Sequence, residues 1–141
     1  MDGERYGHRV DETTAEFRCA VCGSPAGTVC ATRAGEPVEL GPPLPARVMD
    51  ADGALVVGFF GHAWKQLTPD GYQKLAAAVG ADRPDPVALR AVDPEIAPFY
   101  CEQCEASYCL DHWDVDQVFD EGFYDRTQGL CPFGHPQLLD D

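Results

Sequence analysis

A chain of 141 residues with 24 acidic and 10 basic side chains carries a formal charge of -14. That length supports one substantial hydrophobic core rather than two, and the charge disfavours phosphate backbones and anionic membrane surfaces, whose recognition rests on Lys and Arg. No apolar run approaches the roughly 20 residues that span a bilayer, and 12 Pro with 14 Gly imply many turns, so the expected class is a loop-rich α+β domain.

Residues 1–16 are polar and without periodicity, which predicts a flexible N-terminal tail. They also lack the apolar centre of a secretory signal, so a cytoplasmic location is expected. In that reducing setting the seven cysteines, an odd number, are read as metal ligands in preference to disulfides.

Residues 17–32, FRCAVCGSPAGTVCAT, open with Cys19-x2-Cys22, a turn that aims two sulfurs at one point. Gly23 follows directly, where such a turn often needs a positive φ. This stretch is read as a first zinc knuckle. Residues 33–98 are expected to form a hairpin and helical insert. RAGEPVELGPPLP is a linker rich in Pro and Gly, and ARVM and ALVVGFF flank the turn cluster Asp50–Gly53, which predicts a hairpin between them. Thr68-Pro69-Asp70 supplies an N-cap, a proline at the first helical position and an acid in the first turn, and Gly80 ends the pattern. Tyr72, Leu75, Ala76 and Val79 share one face of that helix. Asp85-Pro86 begins a second, shorter helix to about Val92, and Asp93-Pro94 begins a further turn.

Residues 99–141 carry the chemistry. FYCEQCEASYCLDHW places Cys101, Cys104, Cys109 and His112 within twelve positions, and CPFGH adds Cys131 and His135. Phe99–Cys101 and Ser107–Cys109 can pair as a short hairpin with Cys104 in its turn, and VDQVF and FYDRTQGL read as further strands. With Cys19 and Cys22 the donors form four pairs, three with two intervening residues and one with three, a spacing that lets both members reach one tetrahedral ion. Eight donors complete two sites, and soft thiolates with imidazole favour zinc over magnesium or calcium. The spacing alone leaves the pairing open: neighbouring pairs could close one site, or the pairs could interleave.

Cys-x2-Cys-x4-Cys-x2-His, with a Cys-x2-Cys upstream and a Cys-x3-His downstream, resembles the cross-brace, treble-clef zinc fingers typified by FYVE, RING and in-between-RING modules. The likeness covers residues 17–24 and 99–136. It implies that the first and third pairs bind one zinc and the second and fourth the other. Cys19, Cys22, Cys109 and His112 would then form site one, and Cys101, Cys104, Cys131 and His135 site two. The sequence departs from the pattern in the 78 residues between Cys22 and Cys101, so an independent knuckle completed by Cys30 stands as an alternative. The basic lipid-binding motif of FYVE domains has no counterpart here, since the neighbours are Glu102, Glu105, Asp111 and Asp114.

Blander readings apply elsewhere. Cys30 is expected as a small core residue, His62 as a packed histidine rather than a catalytic base, and His8 as solvated. Asp111, Asp114, Asp116, Asp120, Glu121 and Asp125 lack the spacing and central glycine of a calcium loop, so they are read as a solvated face or an acidic docking surface. Trp113 is expected to shield the metal beside His112. Phe119, Phe123, Tyr124 and Phe133 are candidate contact residues whose expected home is the core. The functional expectation is a zinc-binding adaptor or regulatory protein with a protein partner, more readily a binding module than an enzyme. The alternatives are a RING-like ubiquitin-ligase-type factor, a zinc hydrolase with one water-bearing site, and a nucleic-acid-binding finger.

Overall fold

The computed structural model describes residues 5–140. Among the described residues, twelve strands and two helices follow one another: β1 (His8–Asp11), β2 (Thr14–Arg18), β3 (Pro25–Thr32), β4 (Pro37–Val38), β5 (Arg47–Val48), β6 (Gly53–Val57), β7 (His62–Gln66), α1 (Pro69–Val79), α2 (Pro86–Val92), β8 (Tyr100–Cys101), β9 (Ala106–Ser107), β10 (Asp114–Asp120), β11 (Phe123–Leu130) and β12 (Pro136–Asp140). The fold is therefore α+β, and its body is an antiparallel five-stranded sheet in the order β1-β2-β3-β6-β7.

Period-two alternation sends Ala15 and Phe17, Val29 and Ala31, and Ala54 and Val56 to one face of this sheet, where all six are buried. α1 covers that face with Tyr72, Leu75 and Val79, at helical spacing. Its ends follow the sequence signals. The Thr68 side chain accepts the amide of Gly71, Pro69 is the first helical residue, and the Gly80 amide donates to the Ala76 carbonyl. α2 starts the same way, with Asp85 accepting from Val87, and buries Leu89. A 3-10 turn at Pro94–Ile96 delivers Phe99 to the core.

Three expectations are corrected. The segment read as a loose tail holds β1 and the start of β2 from residue 8 onward, because β1 pairs with β2 and β2 in turn pairs with β3; residues 1–4 lie outside the described residues. The residues around Asp50–Gly53 do not turn a hairpin between 46–49 and 54–60. β5 pairs with β4, and β6 pairs with β3 and β7. Finally, residues 33–98 are not an insert on a finger, since β6 and β7 complete the main sheet. The C-terminal region adds the β8–β9 hairpin, a 3-10 turn at Leu110–His112 and a three-stranded sheet in the order β10-β11-β12, whose last strand sequence reading missed.

A run of rings joins the two parts. Phe17 meets Phe99 at 5.3 Å, Phe99 meets Phe59 at 6.0 Å, and Phe59 meets Trp113 at 6.4 Å between ring centroids. Tyr108 then packs on Trp113 and Phe133. Phe99, Tyr108 and Trp113, all buried, each lie one or two residues from a Cys or His of the candidate sites, so core packing sets the positions of those donors.

Candidate metal centres

Four turns carry the donors. The β2–β3 turn holds Cys19 and Cys22, closed by the Cys19 amide on the Ser24 carbonyl (2.7 Å) and the Gly23 amide on the Cys19 carbonyl (2.9 Å), with Gly23 at φ 76°. The β8–β9 turn holds Cys101 and Cys104, with Glu105 at φ 52° just beyond. Cys109 caps the start of the 3-10 turn and His112 is its last residue, with the His112 amide donating to the Cys109 carbonyl at 2.9 Å. Cys131 and His135 sit in the β11–β12 turn, where Gly134 adopts φ 85°. The Ala20 amide reaches the Ser107 carbonyl at 2.9 Å, which ties the first turn to β9.

The structure brings these turns together in two groups. Cys19, Cys22, Cys109 and His112 form one and Cys101, Cys104, Cys131 and His135 the other, with the donor atoms of each group within 4.8 Å of one another. The groups interleave along the chain. Cys30 belongs to neither. It lies on β3 opposite Thr14, whose hydroxyl contacts its sulfur at 3.5 Å.

Each group could hold a metal ion, and its dimensions can be compared with those of a tetrahedral ion. With Zn–S near 2.3 Å and Zn–N near 2.0–2.1 Å, tetrahedral angles demand S···S of about 3.8 Å and S···N of about 3.6 Å. In the first group Cys22 and Cys109 sulfurs are 3.7 Å apart, and His112 Nδ1 lies 3.5 Å from Cys19 and 3.1 Å from Cys109. In the second, Cys104 and Cys131 sulfurs are 3.7 Å apart, and His135 Nδ1 lies 3.6, 3.2 and 3.3 Å from Cys101, Cys104 and Cys131. The donors therefore fit a tetrahedral cation, with Nδ1 as the inward nitrogen of both histidines.

Electrostatics point the same way. Hydrogen bonds from the Ser24 side chain and amide draw the Cys22 thiol down to about 6. Burial pushes Cys131 up, but the amides of His135 and Phe133, each 3.4 Å from its sulfur, outweigh it and leave the thiol lowered. Burial drives Cys109 and Cys101 up to about 11. Each group thus combines a sulfur whose pKa is lowered by hydrogen bonds with a buried sulfur whose ionisation needs a compensating positive charge. A bound cation supplies it. Ser24 and the Phe133 amide are contributors that sequence reasoning missed; the short polar residue after Cys-x2-Cys-Gly was the available signal.

Around the groups, Trp113 is 5% exposed and donates its indole N–H to the Tyr108 carbonyl at 3.0 Å. His62 is exposed on β7, against Gly41, and His8 is exposed on β1, so His62 is not the packed core histidine expected. Asp111, Asp114, Asp116, Asp120, Glu121 and Asp125 are all exposed. The four aromatics expected in the core are also on the surface: Phe119, Phe123, Tyr124 and Phe133 are 58, 78, 44 and 71% exposed. No described helix is long and apolar enough to cross a membrane.

The fold and its two groups define an α+β protein with two possible Cys3His metal sites. The chain belongs to the family described as a domain of unknown function (DUF8328), whose model matches residues 8–141. No curated protein and no solved structure matches the chain.

Proposed function

We propose that the chain is a zinc-binding adaptor of cytoplasmic type, in which two structural zinc ions lock a scaffold that presents a protein-interaction surface. Cys19, Cys22, Cys109 and His112 hold one ion, and Cys101, Cys104, Cys131 and His135 hold the other. The observation that carries this reading is that each group supplies four protein donors at tetrahedral separations. A catalytic zinc keeps three protein ligands and a position for water, whereas a closed site contributes to folding. The interleaving of the groups supports a cross-brace arrangement of treble-clef type. Zinc suits the donor set because thiolates and imidazole are soft or borderline ligands. When bound, the ions supply positive charge and cross-links; the chain's own residues do the rest. Ser24 and the amides of Phe133 and His135 favour the ionised form of the Cys22 and Cys131 sulfurs, and the rings of Phe99, Tyr108 and Trp113 fix the turns.

Metal analysis of the purified protein tests this directly. Two zinc ions per chain are expected, with X-ray absorption showing three sulfurs and one nitrogen around each. An average shell containing a water oxygen, or one ion per chain, would overturn the structural assignment.

A further inference from the structure

The β10–β11 ribbon is the part of the molecule that the metal scaffold does not explain. Its inner end is anchored: Thr127 is buried on β11, and Leu139 is buried on β12 beside it. Its outer end outruns β12, which reaches only Thr127 in the register, and is tied back by the Tyr124 hydroxyl donating to the Asp140 carboxylate at 2.8 Å. Beyond that point Phe119 and Phe123 stand 58 and 78% exposed at the tip. β10 is also an edge strand, hydrogen-bonded to β11 on one side alone.

The two faces of that edge differ. Alternation puts Asp114, Asp116 and Asp120 on one face of β10 and Val115 and Phe119 on the other. Residues 114–130 contain five acids and one Arg, a balance of 1 − 5 = −4. Acids on an edge strand protect it from pairing with its own kind, because like charges directly opposite are destabilising. A second copy of this chain would set Asp against Asp, so the charge pattern rejects it. Protection alone does not account for Phe119 and Phe123, since a solubilising edge carries Lys, Pro or acids and not exposed aromatics. Aromatic side chains with opposite-sign rims mark recognition surfaces.

We propose that the free edge of β10 binds a basic partner segment as an added antiparallel or parallel strand. Lys or Arg at alternate positions of that segment meets Asp114 and Asp116, and apolar residues between them meet Val115 and Phe119. Backbone hydrogen bonds along the edge give affinity and the alternation gives specificity. The inference rests on the adaptor reading, and it names the chemistry of the partner.

The test uses the full-length, metal-replete chain and a synthetic seven-residue peptide, Lys-Val-Lys-Phe-Lys-Val-Lys, with its Glu-for-Lys counterpart as control. Binding is followed by calorimetry and by amide shifts in the 15N-labelled protein. The Lys peptide should bind with shifts concentrated in residues 114–120, weaken at least about tenfold for Phe119→Ser and for Asp114→Asn with Asp116→Asn, and weaken with added salt. The Glu peptide should not bind. Metal content and melting temperature measured on the same variants should stay at the parent values. Absence of Lys-peptide binding, equal binding of both peptides, shifts centred away from β10, or a chain dimer dispersed by Phe119→Ser would each overturn the proposal. Those results with two ions still bound would leave the scaffold standing. Edge binding by a metal-free chain that stays folded would sink the scaffold and keep the edge.

Discussion

Replacing Cys104 with Ser takes one sulfur from the group that joins the β8–β9 turn to the β11–β12 turn, and the structure dictates where the molecule should loosen. The three-stranded sheet meets the body through Trp113 and Leu139, 5 and 1% exposed, and through the Gln137 side chain on the Pro98 carbonyl at 2.7 Å. Burial of side chains of that size stabilises by about 1.5–3 kcal/mol each, so packing contributes about 3–6 kcal/mol. Under the proposed zinc assignment, a structural zinc contributing roughly 10 kcal/mol or more, as in isolated finger peptides, would be the larger attachment. Loss of about half that difference, about 2–3.5 kcal/mol, lowers the protection of amides in 114–140 by about 30- to 300-fold, at about 1.4 kcal/mol per factor of ten. Hydrogen exchange by mass spectrometry, with metal counted on the same sample, reads both consequences. One ion should leave, amides of β10–β12 should exchange fast, and those of β3 and β6 should stay slow. A variant that keeps two ions, or that loosens β3 and β6 as much as β11, would refute the reasoning.

Other perturbations bear on the body. Thr68→Ala deletes the hydroxyl that accepts the Gly71 amide at 3.0 Å and should cost about 1 kcal/mol, seen as a melting temperature about 3 °C lower. Gly27→Ala would bring a Cβ within 2.6 Å of the Phe99 ring, which is fully buried against Phe17 and Phe59. Overpacking of that kind costs about 1–3 kcal/mol, so the urea midpoint should fall with an unchanged slope. For Asp85, burial raises the carboxyl, but the Arg5 guanidinium at 2.7 Å and the Val87 amide outweigh it, and its pKa lies below the ordinary 3.8. A depressed acid stabilises fully above its unfolded value and loses that contribution as pH falls through the lower folded value. Asp85→Asn, which can still cap α2, should therefore flatten the loss of stability below about pH 4 in acid titrations of the melting temperature.

What could be read in advance divides by the range of the interaction. Both helices began and ended where Thr68, Pro69, Gly80, Asp85 and Pro86 placed them, because a cap is satisfied by residues within four positions. The β8–β9 hairpin was legible for the same reason. Strand pairing was not. The turn-like Asp50–Gly53 lies between strands that belong to different partners, and β1 pairs through residues whose own stretch shows no periodicity. The surface position of Phe119 and Phe123 was also hidden, since a sequence shows that a ring is apolar but not that its strand outruns the sheet beneath it. Of the donors, their pairs were visible as spacings. The grouping of Cys19 and Cys22 with residues 109 and 112 came from a resemblance and depends on contacts across the whole chain.

The interleaved groups also set an order of events at birth. Cys22 and Cys109 are separated by 87 positions, and Cys104 and Cys131 by 27. At roughly 5–20 residues per second of synthesis, the early pair waits several seconds with half a coordination sphere, and Cys104 waits a few more for its own partners. Under the zinc assignment, firm capture of the first ion is thus deferred until His112 emerges and of the second until His135 does, and the nascent chain depends on a reducing milieu to keep its sulfurs unpaired meanwhile.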